Sequence, residues 1–224
     1  MDAGERHGER PGGRQEGRQG GRQGTLTERR KAATVLEIAD AAAALFAEQG
    51  ADGTTAEEIA RRAGVAPRTF YRYFRTKQDA VAPLLADGAE RWLRLLADTP
   101  PDLSLPEALE RAARLALEAP DREAADALAR TRGLLRAAAG DPALHAVWLK
   151  VNQDSEERLA PVLAGLTGRA ADALEVRLAA AAATAAIRVA VETWAAGDAP
   201  ADGPGSPADL GVRCMRELTA GLRP

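Results

Sequence analysis

The chain has 224 residues, of which 46% are hydrophobic, and this is enough apolar material to bury the core of one large domain or two small ones. Most of these residues are Ala and Leu, and the scarcity of β-branched and aromatic residues argues against a sheet protein and for closely packed helices. The formal net charge of −3 gives, by itself, no indication of a nucleic-acid partner.

Residues 1–24 are rich in Gly, Arg, Gln and Glu and contain almost nothing that could enter a core, so we predict a disordered arm. Its arginines recur every four residues, but the intervening glycines disfavour a stable helix. Two interpretations of the arm stay open: a solvated tail, or a segment that reaches the backbone or the minor groove of DNA.

Three helices are predicted after the arm. The first begins near Thr25 or Thr27 and ends at Gly50, and the second follows a cap at Thr54 or Thr55 and ends at Gly64. The third begins immediately, because Pro67 is preorganised for the first turn of a helix. Two short helices joined by a tight turn that contains Gly form a helix-turn-helix unit.

Longer helical patterns fill the rest of the chain, separated by Pro- and Gly-containing turns. They cover residues 77–98, 106–119, 121–139, 142–166, 169–196 and 207–222. The prediction is therefore an all-α protein of about nine helices, with a three-helix head at residues 25–76 and a helical bundle at residues 77–224.

The third predicted helix concentrates both aromatic and basic residues. The stretch GVAPRTFYRYFRTK, at residues 64–77, contains four of the eight aromatic residues of the chain. Residues 61–77 include six basic residues and no acidic one, whereas residues 78–224 have sixteen basic against twenty-two acidic residues. This asymmetry is more informative than the net charge, because it places a positive surface on one element.

Helical spacing divides this stretch into faces. Phe70 and Phe74 share one face, which we expect to be buried, and the opposite face carries Arg68, Arg72 and Arg75. Tyr71 and Tyr73 lie on the two flanks, where a tyrosine can pack its ring and direct its hydroxyl to a phosphate. Arginine can bind phosphate or read guanine, so the pattern indicates a recognition helix in the major groove of DNA. The alternative is an ordinary solvated face.

These residues resemble a known family. The segment TTAEEIARRAGVAPRTFYRYFRTKQDAV, at residues 54–81, resembles the signature of the TetR family of bacterial transcriptional regulators, and VLEIADAAAALFAEQGADGTT, at residues 35–55, is similar to its first helix. The resemblance implies a DNA-binding head, a body with a small-molecule pocket, and a homodimer built largely from the last two long helices. GDPALHAVWLKVNQDSEERLAPVLA, in the body, loosely resembles the C-terminal domain of an actinobacterial subgroup.

The resemblance also implies roles for single residues. Pro67 opens the recognition helix, and Arg68, Thr69 and Arg72 are expected at base edges. The expected phosphate contacts are Thr55, Tyr71, Tyr73 and Lys77, with Lys77 also opening the fourth helix. One departure is Ala66, where many members of the family have a Ser that caps the recognition helix.

In the body, the alanine-rich run at residues 179–186 and the last helix are expected to form a four-helix dimer interface, unless these alanines pack only within one protomer. Such a dimer predicts a palindromic double-stranded DNA operator. Candidate contacts for a small-molecule effector are the body's aromatic residues and a few polar ones: Trp92, His145, Trp148, Asn152, Arg188 and Trp194. Large apolar residues such as these tryptophans are more often simply core residues, and Arg188 could pair with Glu192 four residues later.

Other functional classes have little support in the sequence. There is one cysteine and only two histidines, and no phosphate-binding loop, dinucleotide motif or metal-ligand cluster is visible, so we expect no enzyme activity, cofactor or metal. A helical protein-interaction module remains as an alternative, as does an activator in place of a repressor. No run is long and apolar enough for a membrane span, and with Cys214 as the single cysteine we expect a cytoplasmic protein.

Overall fold

The computed structural model of the chain describes residues 26–220, so the predicted arm at residues 1–24 lies outside the described residues. Over the described range the only regular elements are nine α-helices and one 3-10 turn, Asp79–Val81. The all-α prediction with about nine helices is confirmed for this part of the chain. The helices are α1 (Leu26–Gln49), α2 (Ala56–Arg62), α3 (Pro67–Tyr73), α4 (Ala82–Ala97), α5 (Leu105–Leu117), α6 (Arg122–Ala138), α7 (Pro142–Thr167), α8 (Leu174–Ala196) and α9 (Pro207–Thr219).

The first three helices pack into a small head around fully buried side chains. Ile38 and Phe46 of α1 meet Ile59 of α2 and Phe70 of α3, and each of these residues is at most 1% exposed. Helix α1 is long enough to contact α4 and α6 as well as α2. The apolar cluster around these residues therefore extends from the head into the body, where it includes Leu134 of α6 and other residues of α7 and α8.

The body is a bundle in which α4 packs against α5 and α7, and α8 packs against α7 and α9. Helix α9 approaches α5 closely at Gly211, where an added Cβ would lie 2.7 Å from Cδ1 of Leu117. A second apolar cluster fills the space between these helices, with Trp92, Leu109, Leu163 and Met215 among its members. The bundle thus has its own core in addition to the one shared with the head.

The fourth helix begins later than the sequence predicts. We expected it to start at Lys77, but α4 starts at Ala82 after the 3-10 turn. Thr76 and Asp79 cap this turn reciprocally, with the amide of each donating to the side chain of the other at 3.0 and 3.1 Å. Pro83 explains the difference, because it has no amide proton to continue a helix that began at Lys77.

Three other helix ends differ from the prediction or lie next to residues outside the described range. Helix α8 starts at Leu174, not at Arg169, because Gly168 ends α7 in the left-handed conformation and residues 170–173 form a turn. Helix α1 already includes Thr27, and Thr25 lies outside the described residues. Helix α9 ends at Thr219, and Leu222, where we expected its end, is also outside them.

Candidate functional site

Helix α2 is fixed at its start by a capping box. Thr55 accepts a hydrogen bond from the amide of Glu58 at 3.2 Å, and its own amide and hydroxyl both donate to the Glu58 carboxylate at 2.9 Å. These two donated bonds lower the pKa of Glu58. The cap that the sequence offered at Thr54 or Thr55 is therefore Thr55. The Thr55 hydroxyl already donates its proton to Glu58. To make the predicted phosphate contact, it would have to donate to the phosphate instead.

The turn between α2 and α3 sets the geometry of the helix-turn-helix unit. Gly64 adopts φ +68°, a left-handed conformation that a side chain would strain, and the amide of Val65 returns to the carbonyl of Ala60 at 2.9 Å. Pro67 occupies the first turn of α3, as predicted. Ala66 stands at the N-cap in an extended conformation and supplies no capping hydrogen bond.

The two faces of α3 agree with the helical spacing. Phe70 and Phe74 are 0% and 8% exposed, and their ring centroids lie 5.6 Å apart. Arg68, Arg72 and Arg75 are exposed, although α3 ends at Tyr73, so Arg75 follows the helix and does not belong to it. The aromatic face thus holds the helix in the head while the arginines face outward.

The two tyrosines lie on the flanks of α3 and differ in their partners. Tyr71 is 53% exposed, packs edge-on against Phe70 with ring centroids 5.3 Å apart, and donates its hydroxyl to Glu57 at 3.2 Å. This hydrogen bond raises the pKa of Tyr71. The hydroxyl of Tyr73 accepts from Arg72 at 3.1 Å, and the Arg72 guanidinium lies 4.8 Å from the Tyr73 ring centroid. Both hydroxyls are therefore at the surface beside the arginine face.

Two of the six basic residues at positions 61–77 are used inside the head. Arg62 forms a two-pronged ion pair with Glu48 of α1, which lowers the pKa of that carboxyl. The ammonium of Lys77 donates to the backbone carbonyls of Ala51 and Thr54 at 2.7 and 2.8 Å. Lys77 is thus half-buried and ties the loop before α2 to the segment after α3, which the sequence did not indicate.

The body contains a cavity of about 380 Å³, within the usual size of a small-molecule site. Helices α1, α4, α5, α6, α7 and α8 line it, and α1 contributes Leu36 and Asp40 from the head. Three of the predicted effector contacts, Trp92, Trp148 and Asn152, are among the lining residues. Ser155 and Thr184 also line the cavity, and the sequence gave no reason to select them.

The other three predicted effector contacts lie outside this cavity. His145 is exposed on α7, whereas Trp194 is buried, with its indole nitrogen donating to the carbonyls of Ala199 and Pro200 at 3.1 and 3.0 Å. Arg188 pairs with Glu192 at 2.9 Å, the alternative that the spacing allowed. Trp194 and Arg188 thus have partners within the protein, and His145 is not part of the cavity lining, so none of the three is placed at this cavity.

A hydrogen bond joins the head–body junction to α7. Gln78, just before the 3-10 turn, donates to the carboxylate of Asp141 at 2.9 Å, and Asp141 also caps α7 through the amides of Ala143 and Leu144. Burial alone would raise the pKa of Asp141, but the hydrogen bonds from Gln78 and from these amides lower it overall. The first turn of α7 is thus attached to the segment that leaves the head.

None of the helices in residues 26–220 is both long and apolar enough to cross a membrane. In the same range, no group of three or more His, Cys, Asp or Glu side chains could hold a metal ion.

Comparison with known proteins identifies relatives of both the head and the body. Residues 38–82 match the family model described as bacterial regulatory proteins, tetR family, and residues 103–223 match the model described as the MftR C-terminal domain. The HTH-type transcriptional regulator TcmR of Streptomyces glaucescens is 30% identical over 146 residues, which are 64% of this chain and 64% of that protein. The match thus spans less than two thirds of that relative.

Solved structures share the fold. A TetR-family regulator from Mesorhizobium loti superposes with a TM-score of 0.55 at 22% identity, covering 86% of this chain and 98% of the other. One from a Rhodococcus species gives 0.56 at 18% identity, covering 85% and 100%. With a head model that matches the second half of α1 and all of α2 and α3, and a body model over more than half of the sequence, the chain belongs to the TetR family of bacterial regulatory proteins.

Proposed function

We propose that this chain is a transcriptional regulator of the cytoplasm that binds a double-stranded DNA operator as a homodimer and responds to a small molecule held in the body. The observation that carries DNA binding is the division of α3 into a buried phenylalanine face and an exposed arginine face. A helix anchored in this way can enter a major groove without unfolding the head. No catalytic role is part of the proposal.

The contacts divide into two kinds. Arg68, Thr69 and Arg72 lie on α3 where they could meet base edges and specify sequence, while Tyr71 and Tyr73 on its flanks would bind phosphates and fix the register. Thr55 and Lys77 were expected at phosphates too. Their hydrogen bonds within the head favour a smaller role, in which Thr55 exchanges Glu58 for a phosphate and Lys77 adds positive charge.

The homodimer is supported by an apolar stripe along α8. Leu174, Leu178 and Val189 are 75%, 57% and 44% exposed, and they share one helical face with Ala181 and Ala185. The opposite face of α8, including Ala179, Ala183 and Ala190, is buried within the protomer. The alanine-rich run thus serves both packings, because its residues divide between the two faces. A two-fold axis beside the stripe would present two copies of α3 to a palindromic site.

The route from effector to DNA would run through helices that touch both the cavity and the head. Leu36 and Asp40 of α1 line the cavity directly, as do residues 84–92 of α4. Helix α7 lines it with Val151 and reaches the head junction through the Gln78–Asp141 hydrogen bond. A ligand that favours one arrangement of these helices would change the separation of the heads and so the affinity for DNA.

The DNA-binding part is tested by selecting bound sequences from random duplex DNA with the full chain and measuring affinity for the selected site. Arg72→Ala should abolish sequence-specific retention. Arg122→Ala, which removes an exposed arginine of α6, is the matched control and should bind as the wild type does. Unchanged binding by the Arg72 variant would overturn the assignment of α3.

The direction of regulation is tested by placing the selected operator in a promoter that drives a reporter. Repression is the usual mode in this family, because a dimer on a promoter blocks polymerase, and we expect reporter output to fall when the protein is expressed. A rise in output would show an activator.

A further inference from the structure

Three polar side chains on the cavity lack hydrogen-bond partners. Trp92 of α4, Ser155 of α7 and Thr184 of α8 are only 2%, 5% and 6% exposed, and all three line the cavity. Within residues 26–220, neither the indole nitrogen of Trp92 nor the hydroxyl of Thr184 has a partner, and the hydroxyl of Ser155 makes no hydrogen bond. Buried polar groups are almost always paired, because leaving one unpaired destabilises the fold.

Neighbouring groups of the same types are paired. The indole nitrogen of Trp148, on the same cavity, donates to Glu192 at 2.8 Å, and that of Trp194 donates to backbone carbonyls. The hydroxyl of Thr131, also on the cavity, donates to the carbonyl of Ala127 at 3.1 Å. Among residues 26–220 the only other buried polar side-chain atom without a partner is Nε of Arg132, which does not line the cavity. Trp92, Ser155 and Thr184 belong to three helices around one space, but the unpaired atoms of Trp92 and Thr184 have almost no accessible surface there, so a ligand would reach them after small rotations of these side chains.

The charged residues of the cavity are all at least partly exposed, so they lie at its edge. Four are carboxylates and two are arginines: Asp40, Asp87, Glu118, Glu123, Arg91 and Arg130. Asp40 pairs with Arg130 at 3.7 Å, and Glu118 pairs with Arg114 at 2.8 Å, whereas Asp87 and Glu123 have no partner among the described residues. This edge would repel an anion, and no buried charge inside could neutralise a charged ligand.

We infer that the cavity takes an uncharged, largely apolar molecule that carries a hydrogen-bond-accepting oxygen. The indole nitrogen of Trp92 can only donate, so a ligand group that reaches it must be an acceptor, while Ser155 and Thr184 can donate or accept. This inference rests on the proposed effector response, since it names the chemical class that the same cavity binds. An oxygen acceptor on the ligand would give the indole nitrogen of Trp92 the hydrogen-bond partner that it lacks in the folded protein.

The test uses four three-ring probes and the full chain in titration calorimetry. Xanthone is uncharged and has a ring carbonyl, anthracene has no acceptor, 9-aminoacridine is a cation, and anthracene-9-carboxylate is an anion. Xanthone should bind at least about tenfold more tightly than each of the others, because a satisfied buried hydrogen bond contributes about this factor. Equal affinity for xanthone and anthracene, tighter binding of either charged probe, or no binding of xanthone would overturn the inference.

Two variants test whether the preference for xanthone depends on the unpaired groups of the cavity. Trp92→Phe and Thr184→Val should each lower xanthone affinity by roughly five- to tenfold and leave the anthracene affinity unchanged. Thr193→Val makes the same chemical change on an exposed residue of α8 and should have no effect. If Trp92→Phe fails to fold, Thr184→Val and Ser155→Ala still decide the outcome. A xanthone preference that survives all the variants contradicts the assignment.

Operator binding by the same preparations separates this inference from the proposed function. If the selected operator is bound but xanthone has no advantage over anthracene, the ligand class is wrong and the regulator proposal stands. If xanthone binds with the expected preference but leaves operator affinity unchanged, the ligand class stands and the proposed effector response fails.

Discussion

Among single residues, hydrogen bonds separate the basic side chains that build the head from those that are available to a partner. Arg62 is held by Glu48 and Lys77 by two backbone carbonyls, whereas Arg68 and Arg75 have no partner among the described residues. Helical spacing could place the arginines opposite the phenylalanines, because that relation is local. It could not reveal the two carbonyl partners of Lys77, which lie 26 and 23 residues away in the chain.

The residues that line the cavity could also be predicted only in part from the sequence. Trp92 and Trp148 could be chosen from the sequence because aromatic residues are rare in the body. Ser155 and Thr184 could not, since a hydroxyl on a helix is unremarkable until its burial and its missing partner are known.

Thr184→Val is expected to stabilise the unliganded protein. The substitution keeps the shape of the side chain but removes a buried hydroxyl that has no partner, so the free energy of unfolding should rise by about 1 kcal/mol. Thermal unfolding should show this as a rise in Tm of about 2–4 °C for a chain of this size. Thr219→Val is the control, because that hydroxyl donates to the carbonyl of Met215 at 2.8 Å and its loss should lower Tm.

Among the helices, local capping explains which boundaries could be predicted. The Thr55–Glu58 box and Pro67 are signals within one turn, so α2 and α3 begin where the sequence indicates. The start of helix α8 was predicted five residues too early, at Arg169, because residues 169–174 are mostly Ala, Leu and Arg, which have high helical propensity. Its start is decided instead by the turn after Gly168.

Ala66→Ser is expected to stabilise α3. Ala66 is exposed and already has the extended backbone of an N-cap, with φ −70° and ψ 148°, so a serine could accept an amide hydrogen bond without rearrangement. The gain should be about 1 kcal/mol in the free energy of unfolding, measured by urea denaturation. Ala146→Ser, at an exposed position inside α7, should instead cost a few tenths of a kcal/mol. A gain equal at both positions would contradict the capping explanation.

Asp141→Asn is expected to change the pH dependence of the free energy of unfolding. The folded-state pKa of Asp141 lies below its ordinary value, so its contribution is fully present above about pH 4 and is lost as the pH falls through the folded-state pKa. Asparagine can still cap α7 but does not titrate. Urea unfolding at pH 7, 5, 4 and 3 should therefore show the wild type losing stability relative to the variant only below about pH 4. A parallel loss in both proteins would exclude Asp141 as the cause.

For the whole molecule, the surface feature with the clearest consequence is the apolar stripe on α8. The stripe consists of Leu174, Leu178, Ala181, Ala185 and Val189. It leaves large apolar side chains in water in an isolated protomer, and burial against a second copy would remove them from it.

If the proposed homodimer forms through this stripe, Leu178→Glu is expected to make the protein monomeric, because it places a charge in the middle of the stripe. Size-exclusion chromatography with light scattering should show half the wild-type mass, and affinity for the selected palindrome should fall with it. Leu149→Glu, at a 43% exposed position on α7, is the matched control and should leave the mass unchanged. A wild-type protein that is monomeric, or a Leu178 variant that remains dimeric, would contradict the proposed interface.

By itself, the sequence determined the helical class, the helix-turn-helix unit and the orientation of α3, because propensity, caps and helical spacing act over a few neighbouring residues. Only the tertiary structure decided which side chains enclose the cavity, which of the candidate contacts are structural, and that α1 reaches from the head to the cavity wall. The physical reason is that a hydrogen-bond partner or a cavity depends on atoms brought together from distant helices. Their meeting is set by packing of the whole bundle, which no local pattern records.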